Sequence, residues 1–251
     1  MLTVKTIRAK SILNKSKIFD YCVNPYTGCQ VNCRYCYARL FMKRYSGHSE
    51  PWGEFVDVKI NAAEVLGKQL ARAKKGMVWI SSVCDPYQPA EKAYAVTRRC
   101  LEVLAAKQFP VNIQTKSTLI LRDLDILRKF EYVEAGFTIT TDNEAVARQF
   151  EPDASPIKQR IDALKELRAA GIPTFAFIGP ILPGNPENLI CYLEEAADRV
   201  LIDRMNYVST IKSIYRKLGF QREMEDSYFD EIREQLILEL NRRGMQYQVL
   251  F

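Results

Sequence analysis

The chain has 251 residues, 47% of them hydrophobic, and a formal charge of +6 from 36 Lys and Arg against 30 Asp and Glu. That apolar fraction excludes a mainly disordered chain and allows either one α/β barrel or two small domains. The basic opening MLTVKTIRAKSILNKSK lacks the apolar run and cleavage site of a secretory signal. No stretch approaches the roughly 20 apolar residues that span a bilayer, so a soluble, cytoplasmic protein with no membrane partner is expected.

Taken in chain order, a strand near 17–23 leads into a cysteine-rich segment, and 45–58 (YSGHSEPWGEFVDV) then reads as an insertion or loop. From there apolar runs alternate with amphipathic stretches: helix 61–74, strand 77–83, helix 91–107, strand 111–116, helix 121–130, strand 135–141, helix 156–170, strand 172–178, helix 186–198 and strand 199–205. In the clearest helix Ser155 is the expected N-cap with Pro156 at N1. Apolar residues recur at Ile157, Ile161, Leu164 and Leu167, and Gly171 and Pro173 end it. Beyond about 206 a charged helix near 224–243 and an apolar run, Met245–Phe251, are expected to pack on the outside or end of the sheet. Such alternation predicts an α/β fold, a partial (β/α)6 TIM-like barrel with a C-terminal helical extension. One domain over 1–251 is expected, with its barrel core at about 17–206 and the extension at about 207–251.

Seven cysteines (Cys22, Cys29, Cys33, Cys36, Cys84, Cys100, Cys191) are an odd number in a chain too large to need disulfide staples. Cys100 and Cys191 sit among apolar helical residues and are expected to be buried fillers. Cys29, Cys33 and Cys36 form C-x3-C-x2-C in a loop eased by Pro25 and Gly28. Three thiolates hold three irons of a cubane cluster and leave the fourth iron open to a small molecule, as a catalytic rather than a sealed site requires. The alternative is tetrahedral zinc on these cysteines and His48, the only histidine, which is otherwise expected to be a solvated loop residue.

The cysteine spacing, with Tyr37 directly after the third cysteine, resembles the radical S-adenosylmethionine superfamily. That resemblance implies a [4Fe–4S] cluster whose open iron is chelated by S-adenosylmethionine, cleavage of the sulfonium to a 5′-deoxyadenosyl radical, and an electron donor such as flavodoxin or ferredoxin. The blocks Cys84–Glu91, Thr115–Leu127, Glu151–Pro156 and Gly179–Gly184 resemble the spore photoproduct lyase-related, DNA repair photolyase-like branch over roughly 20–200. The strand C-terminal ends of a parallel barrel face its site. Ser82 and Asp85, Lys116, Thr140 or Thr141, and Gly179 with Ile181 occupy those ends here. By resemblance, Lys116 and Thr140 would approach the cofactor's carboxylate and ribose, and Gly179–Ile181 its adenine. Hydroxyls and glycines at such ends also cap helices and make turns.

Tyr35 and Tyr37 match paired tyrosines of the branch, and Cys84 would return hydrogen to a product radical. The branch places its cysteine a few positions earlier, where this chain has Ser81 or Ser82. Asp85 and Glu91 are candidate substrate ligands, although Asp85-Pro86 also makes a turn out of a strand. A DNA or RNA substrate, steered by Arg39, Lys43, Arg44, Arg98 and Arg99, is the first expectation, although the positive charge lies largely in mixed-sign helices. The same chemistry on a small metabolite or peptide, and a non-catalytic iron–sulfur or zinc nucleic-acid-binding protein, are the alternatives.

Overall fold

Six of the apolar runs become neighbouring parallel strands. The computed structural model describes residues 2–251, the side chain of Lys43 excepted. Its strands are β1 (Thr3–Ile7), β2 (Leu13–Lys15), β3 (Tyr21–Val23), β4 (Tyr26–Thr27), β5 (Phe55–Lys59), β6 (Val78–Ile80), β7 (Val111–Thr115), β8 (Val133–Thr138), β9 (Thr174–Ile178), β10 (Arg199–Ile202) and β11 (Gln246–Val249). The main sheet runs β11-β10-β9-β8-β7-β6-β3-β2 and is parallel except for β2 against β3. Helices between successive strands cover it, which makes a partial TIM-like barrel. Central β8 reads VEAGFT and is buried at every position, as a parallel strand covered on both faces requires.

Two parts differ from the sequence expectation. The segment 45–58 is not merely a loop: it feeds β5, which pairs in parallel with β1 and antiparallel with β4 in a second, three-stranded sheet. The last apolar run, expected on the outside or end, takes the end, and does so as strand β11, which extends the main sheet beyond β10. Both β1 and β11 are edge strands with mostly exposed side chains, so neither carries the apolar signature of a buried strand.

The helices also depart in detail. Helix Ile157–Ala169 begins one residue later than expected, and Pro156 is its cap in extended backbone. The Ser155 hydroxyl accepts the Thr118 amide (3.2 Å), while the Glu144 carboxylate accepts the Ile157 amide (2.8 Å). The expected helix 91–107 is broken at Ala95, whose φ of 47° is left-handed. Cys191 is exposed rather than buried, because Leu189, Ile190 and Leu193 take the inner face of helix Pro186–Glu194.

Close packing at β8 and β9 gives paired mutational outcomes of opposite sign. A Cβ on Gly136 would lie 2.5 Å from the Phe175 ring and carbonyl, so Gly136→Ala should lower the unfolding free energy by about 1–3 kcal/mol. Gly67, inside helix Ala62–Leu70, meets nothing nearer than Val103 at 3.7 Å, so Gly67→Ala should raise it by about 0.5–1 kcal/mol. Urea unfolding of both variants checks the pair.

Candidate active site

The cysteine loop is built against the second sheet. Gly28 has φ +85°, and a Cβ there would stand 2.3 Å from the Phe55 carbonyl, so only glycine lets the chain pass β5 this closely. Beyond it Asn32 takes φ 54° and nests on Gly53, where a Cβ would lie 2.4 Å from the Asn32 side chain. Cys29 and Cys33 are buried and Cys36 half-buried, packed with Val31, Ala38, Trp52 and Phe55. The segment 45–58 is thus the outer wall of the loop.

His48 belongs to that wall. Its ring stacks on Phe55 at 4.2 Å, with Nδ1 3.1 Å from Glu50 and Nε2 3.0 Å from Asp57. The expectation of a solvated His48 fails because these contacts bury it. Both ring nitrogens are engaged with carboxylates, so His48 does not stand as the fourth ligand of a zinc site.

Burial, Asp85 and the neighbouring thiols all oppose a thiolate at Cys29 and hold its pKa well above the ordinary range. Burial pushes Cys33 up to about 12, partly offset by Lys116, and raises Cys36 as well. Three thiols, two of them buried, that burial holds un-ionised and that oppose ionisation of Cys29 together are a donor set for a cationic group, which offsets both costs at once. The buried Trp52 indole N–H, without a hydrogen-bond partner among the described residues, lies in the same group of side chains. These residues fit an iron–sulfur cluster with three protein thiolates.

Behind the loop lies a buried ionic network centred on Glu151 and Arg160, which the sequence reading left without a role. Tyr35, between two loop residues, donates its hydroxyl to Glu151 Oε1, and Arg160 Nη1 donates to Glu151 Oε2 (2.5 Å) and to the Thr138 carbonyl (3.0 Å). Thr140 donates to Glu151 as well (3.3 Å). Lys116 Nζ lies 5.6 Å from the Tyr35 ring centroid, and the negative potential of Cys33 and Glu151 outweighs burial to keep its pKa raised. Burial opposes ionisation of Glu151, yet Arg160, Lys116 and Tyr35 hold its pKa below the ordinary value. Arg160 was legible as a charge falling on the apolar stripe between Ile157 and Ile161.

A second group sits at the end of β6. Asn24 joins it, donating to Ser82 Oγ (3.1 Å) and accepting the Val83 amide (3.1 Å), while Tyr37 donates its hydroxyl to the Ser82 carbonyl. The Cys84 thiol points to the Tyr26 carbonyl (3.6 Å), and burial pushes its pKa up to about 11. Tyr37 lies close enough to Cys84, Cys36 and Tyr207 that their charges add to the burial that lifts it to about 12. The fold therefore sends the two tyrosines to different places: Tyr35 inward to Glu151, Tyr37 to Cys84 and the sheet mouth.

Other expected ligands are occupied. Asp85 accepts Thr115 Oγ1 (2.6 Å) and the amides of Tyr87 and Lys116 (2.8 Å each), while its own amide donates to Cys29 Sγ (3.3 Å). It ties β6 to β7 and to the loop. Glu91 is buried and accepts from Tyr26, Arg122 and the amides of Thr97 and Arg98, so it caps helix Val96–Ala106 rather than facing a substrate. Arg98 is paired with Asp123 and Asp125 and is not available for phosphate. Lys43's side chain lies outside the described residues. A cavity of about 430 Å³ opens between the loop, the end of β7 and the turn at 153–155, bordered by Val31, Lys116, Ser117 and Ala154. That volume suits a small ligand. Of the residues expected to hold the cofactor, Lys116 lines it; Thr140 and Ile181 border a separate depression, and Gly179 packs on Phe177.

Glu151→Gln would remove the anion while leaving the Arg160 guanidinium buried, at a cost of about 3–5 kcal/mol. The sign of the pH dependence follows from the depressed pKa. The carboxylate's contribution is complete above its ordinary value of 4.5 and is lost as pH falls through the lower folded-state value. Denaturant unfolding between pH 7 and 3 should show a steeper acid loss for the native chain than for Glu151→Gln.

The profile described as the Radical SAM superfamily matches residues 23–197. Protein MJ0683 of Methanocaldococcus jannaschii is 40% identical over 179 residues, covering 70% of this chain and 67% of that protein. The Radical SAM Nalpha-GlyT isomerase of Pseudomonas phage M6 is 26% identical over 162 residues, covering 64% of this chain and 33% of the phage protein. A spore photoproduct lyase mutant solved with bound AdoMet and dinucleoside spore photoproduct shares the fold: TM-score 0.72, 16% identity, 100% of this chain and 82% of that one. With its three loop cysteines inside the matched region, the chain belongs to the radical SAM superfamily of enzymes.

Proposed function

We propose that this radical SAM enzyme carries one [4Fe–4S] cluster on Cys29, Cys33 and Cys36 and abstracts hydrogen from a base of a nucleic acid. The observation that carries the cluster assignment is the packing of the three loop cysteines in one group of side chains where burial opposes ionisation of each, in a loop whose nearby histidine is already engaged. When bound, the cluster and S-adenosylmethionine supply reductive cleavage of the sulfonium to methionine and a 5′-deoxyadenosyl radical. The electron comes from a flavodoxin- or ferredoxin-like donor. Support for the substrate class is the likeness to a lyase solved with a dinucleoside photoproduct, together with the net positive charge. The phage relative's name adds isomerisation to bond cleavage as an outcome of the same hydrogen abstraction.

This chain's residues have separate tasks in that reading. Lys116, held cationic beside Cys33, takes the cofactor's carboxylate, and Thr140 the ribose. Ser82 shapes the end of β6, and Gly179 with Ile181 the adenine edge. Asp85 fixes the loop against β7. Cys84 is the hydrogen donor: its S–H bond breaks, a C–H bond forms on the product radical, and the unpaired electron is left on sulfur. The Tyr37 hydroxyl then gives its hydrogen to that sulfur and retains the unpaired electron. Tyr35, tied to Glu151, is a positioning residue.

Burial keeps the Cys84 thiol protonated up to about pH 11, so the donor form is present throughout the neutral range. Its alkylation by iodoacetamide in cluster-free protein should accelerate only as pH nears that value. Cys29→Ala, Cys33→Ala and Cys36→Ala should each lose cluster iron and all 5′-deoxyadenosine formation, whereas Cys84→Ala should retain iron and cofactor cleavage. The substrate is tested with dithionite-reduced, reconstituted protein and 5′-deuterated S-adenosylmethionine. A thymine-lesion oligonucleotide should increase 5′-deoxyadenosine release. No response to any DNA or RNA, with a response to a peptide or metabolite instead, would overturn the substrate assignment.

A further inference from the structure

Helix Ala38–Ser46 follows the last loop cysteine directly and contains no acidic residue. Residues Tyr37, Leu40, Phe41, Arg44 and Tyr45 stand at i, i+3, i+4, i+7 and i+8, which is one helix face. All five are exposed: Phe41 keeps 49% of its surface in solvent and Tyr45 76%. In a helix this short, two aromatic rings and a leucine left open on a single stripe are not accounted for by packing, since the inner side already has Ala38 and Met42 on the loop core.

The position of the stripe and its charge define what fits it. At its first residue, Tyr37 is bonded to the Ser82 carbonyl at the end of β6 and lies near Tyr207, so the stripe begins at the sheet mouth and leads outward. Arg39 flanks it, its guanidinium on the Arg34 carbonyl (2.7 Å), and neither Arg39 nor Arg44 is paired with a carboxylate among the described residues. Aromatic faces in line with unpaired arginines are complementary to unstacked bases on a phosphate backbone.

We infer that the exposed face of helix Ala38–Ser46 is a stacking platform for an unpaired nucleic-acid strand, whose target base then enters the sheet mouth past Tyr37. This rests on the nucleic-acid reading of the substrate and goes beyond it by fixing where the flanking nucleotides lie. Phe41 and Tyr45 take the bases, and Arg44 with Arg39 the phosphates. An extruded or single-stranded target follows, because a stacked duplex offers no base faces to such a platform.

The test is fluorescence anisotropy of a labelled single-stranded 12-mer with the reconstituted protein, at two salt concentrations. Phe41→Ala and Tyr45→Ala should each weaken binding about five- to a hundredfold. Arg44→Gln should reduce the slope of log affinity on log salt by about 0.7. Melting temperatures of the variants report that they fold. Variants that bind the strand as the native chain does overturn the platform, while a native response of 5′-deoxyadenosine release to oligonucleotides keeps the substrate reading standing. If the native chain neither binds strands nor responds to them, both fall. If the variants keep strand affinity and lose flavodoxin-driven but not dithionite-driven reduction, the face belongs to an electron donor and the inference is wrong.

Discussion

The buried carboxylate of Glu151 holds the cysteine loop to the sheet. It receives Tyr35 from the loop, Thr140 from the end of β8 and Arg160 from helix Ile157–Ala169, so three chain segments meet on two oxygen atoms. An anion placed that deep is tolerable only because every partner is a donor and two neighbours are cationic. With Cys33, the same charge offsets burial and keeps the pKa of Lys116 raised. Loop position and the cation beside the thiols therefore share a contributor in Glu151.

A second constraint acts from the opposite side. The strip from His48 to Phe55, braced within itself by ring stacking and two carboxylate contacts, closes over the loop through Trp52, Phe55 and a close passage of Gly28 against β5. Held between Glu151 and Phe55, the loop packs its three cysteines in one group of side chains and continues into helix Ala38–Ser46. Chemistry at the thiols and recognition along that helix are thus carried by consecutive residues. Cys84 and Tyr37 lie between them, at the end of β6.

The parallel core was legible because buried strands are continuous apolar runs: β6 to β10 all fall inside or within two residues of the runs that predict them. The edges were not. In β11 the sequence QYQV carries only one strong apolar residue, and its pairing with β10 is a backbone interaction that side-chain pattern does not encode. The wall strand β5 was hidden for another reason: Phe55 and Val56 follow Gly, Pro and His residues that read as a loop, and its partner β1 lies about fifty residues earlier. At the site, spacing alone picked out the three cysteines. The engagement of Asp85, Glu91 and His48 depends on partners in other elements, the donors Thr115 and Arg122 and the Asp57 carboxylate, and no local motif announces it.

The central claim is that three loop thiolates hold a cluster with one iron left for the cofactor. Electron paramagnetic resonance of the anaerobically reconstituted, dithionite-reduced protein tests it most directly, recorded before and after adding S-adenosylmethionine labelled with 17O or 15N in its amino-acid part. The account predicts a [4Fe–4S]+ signal that changes shape on addition and shows coupling to the labelled atoms. A signal indifferent to the cofactor, or purified protein holding zinc and no iron, would contradict it.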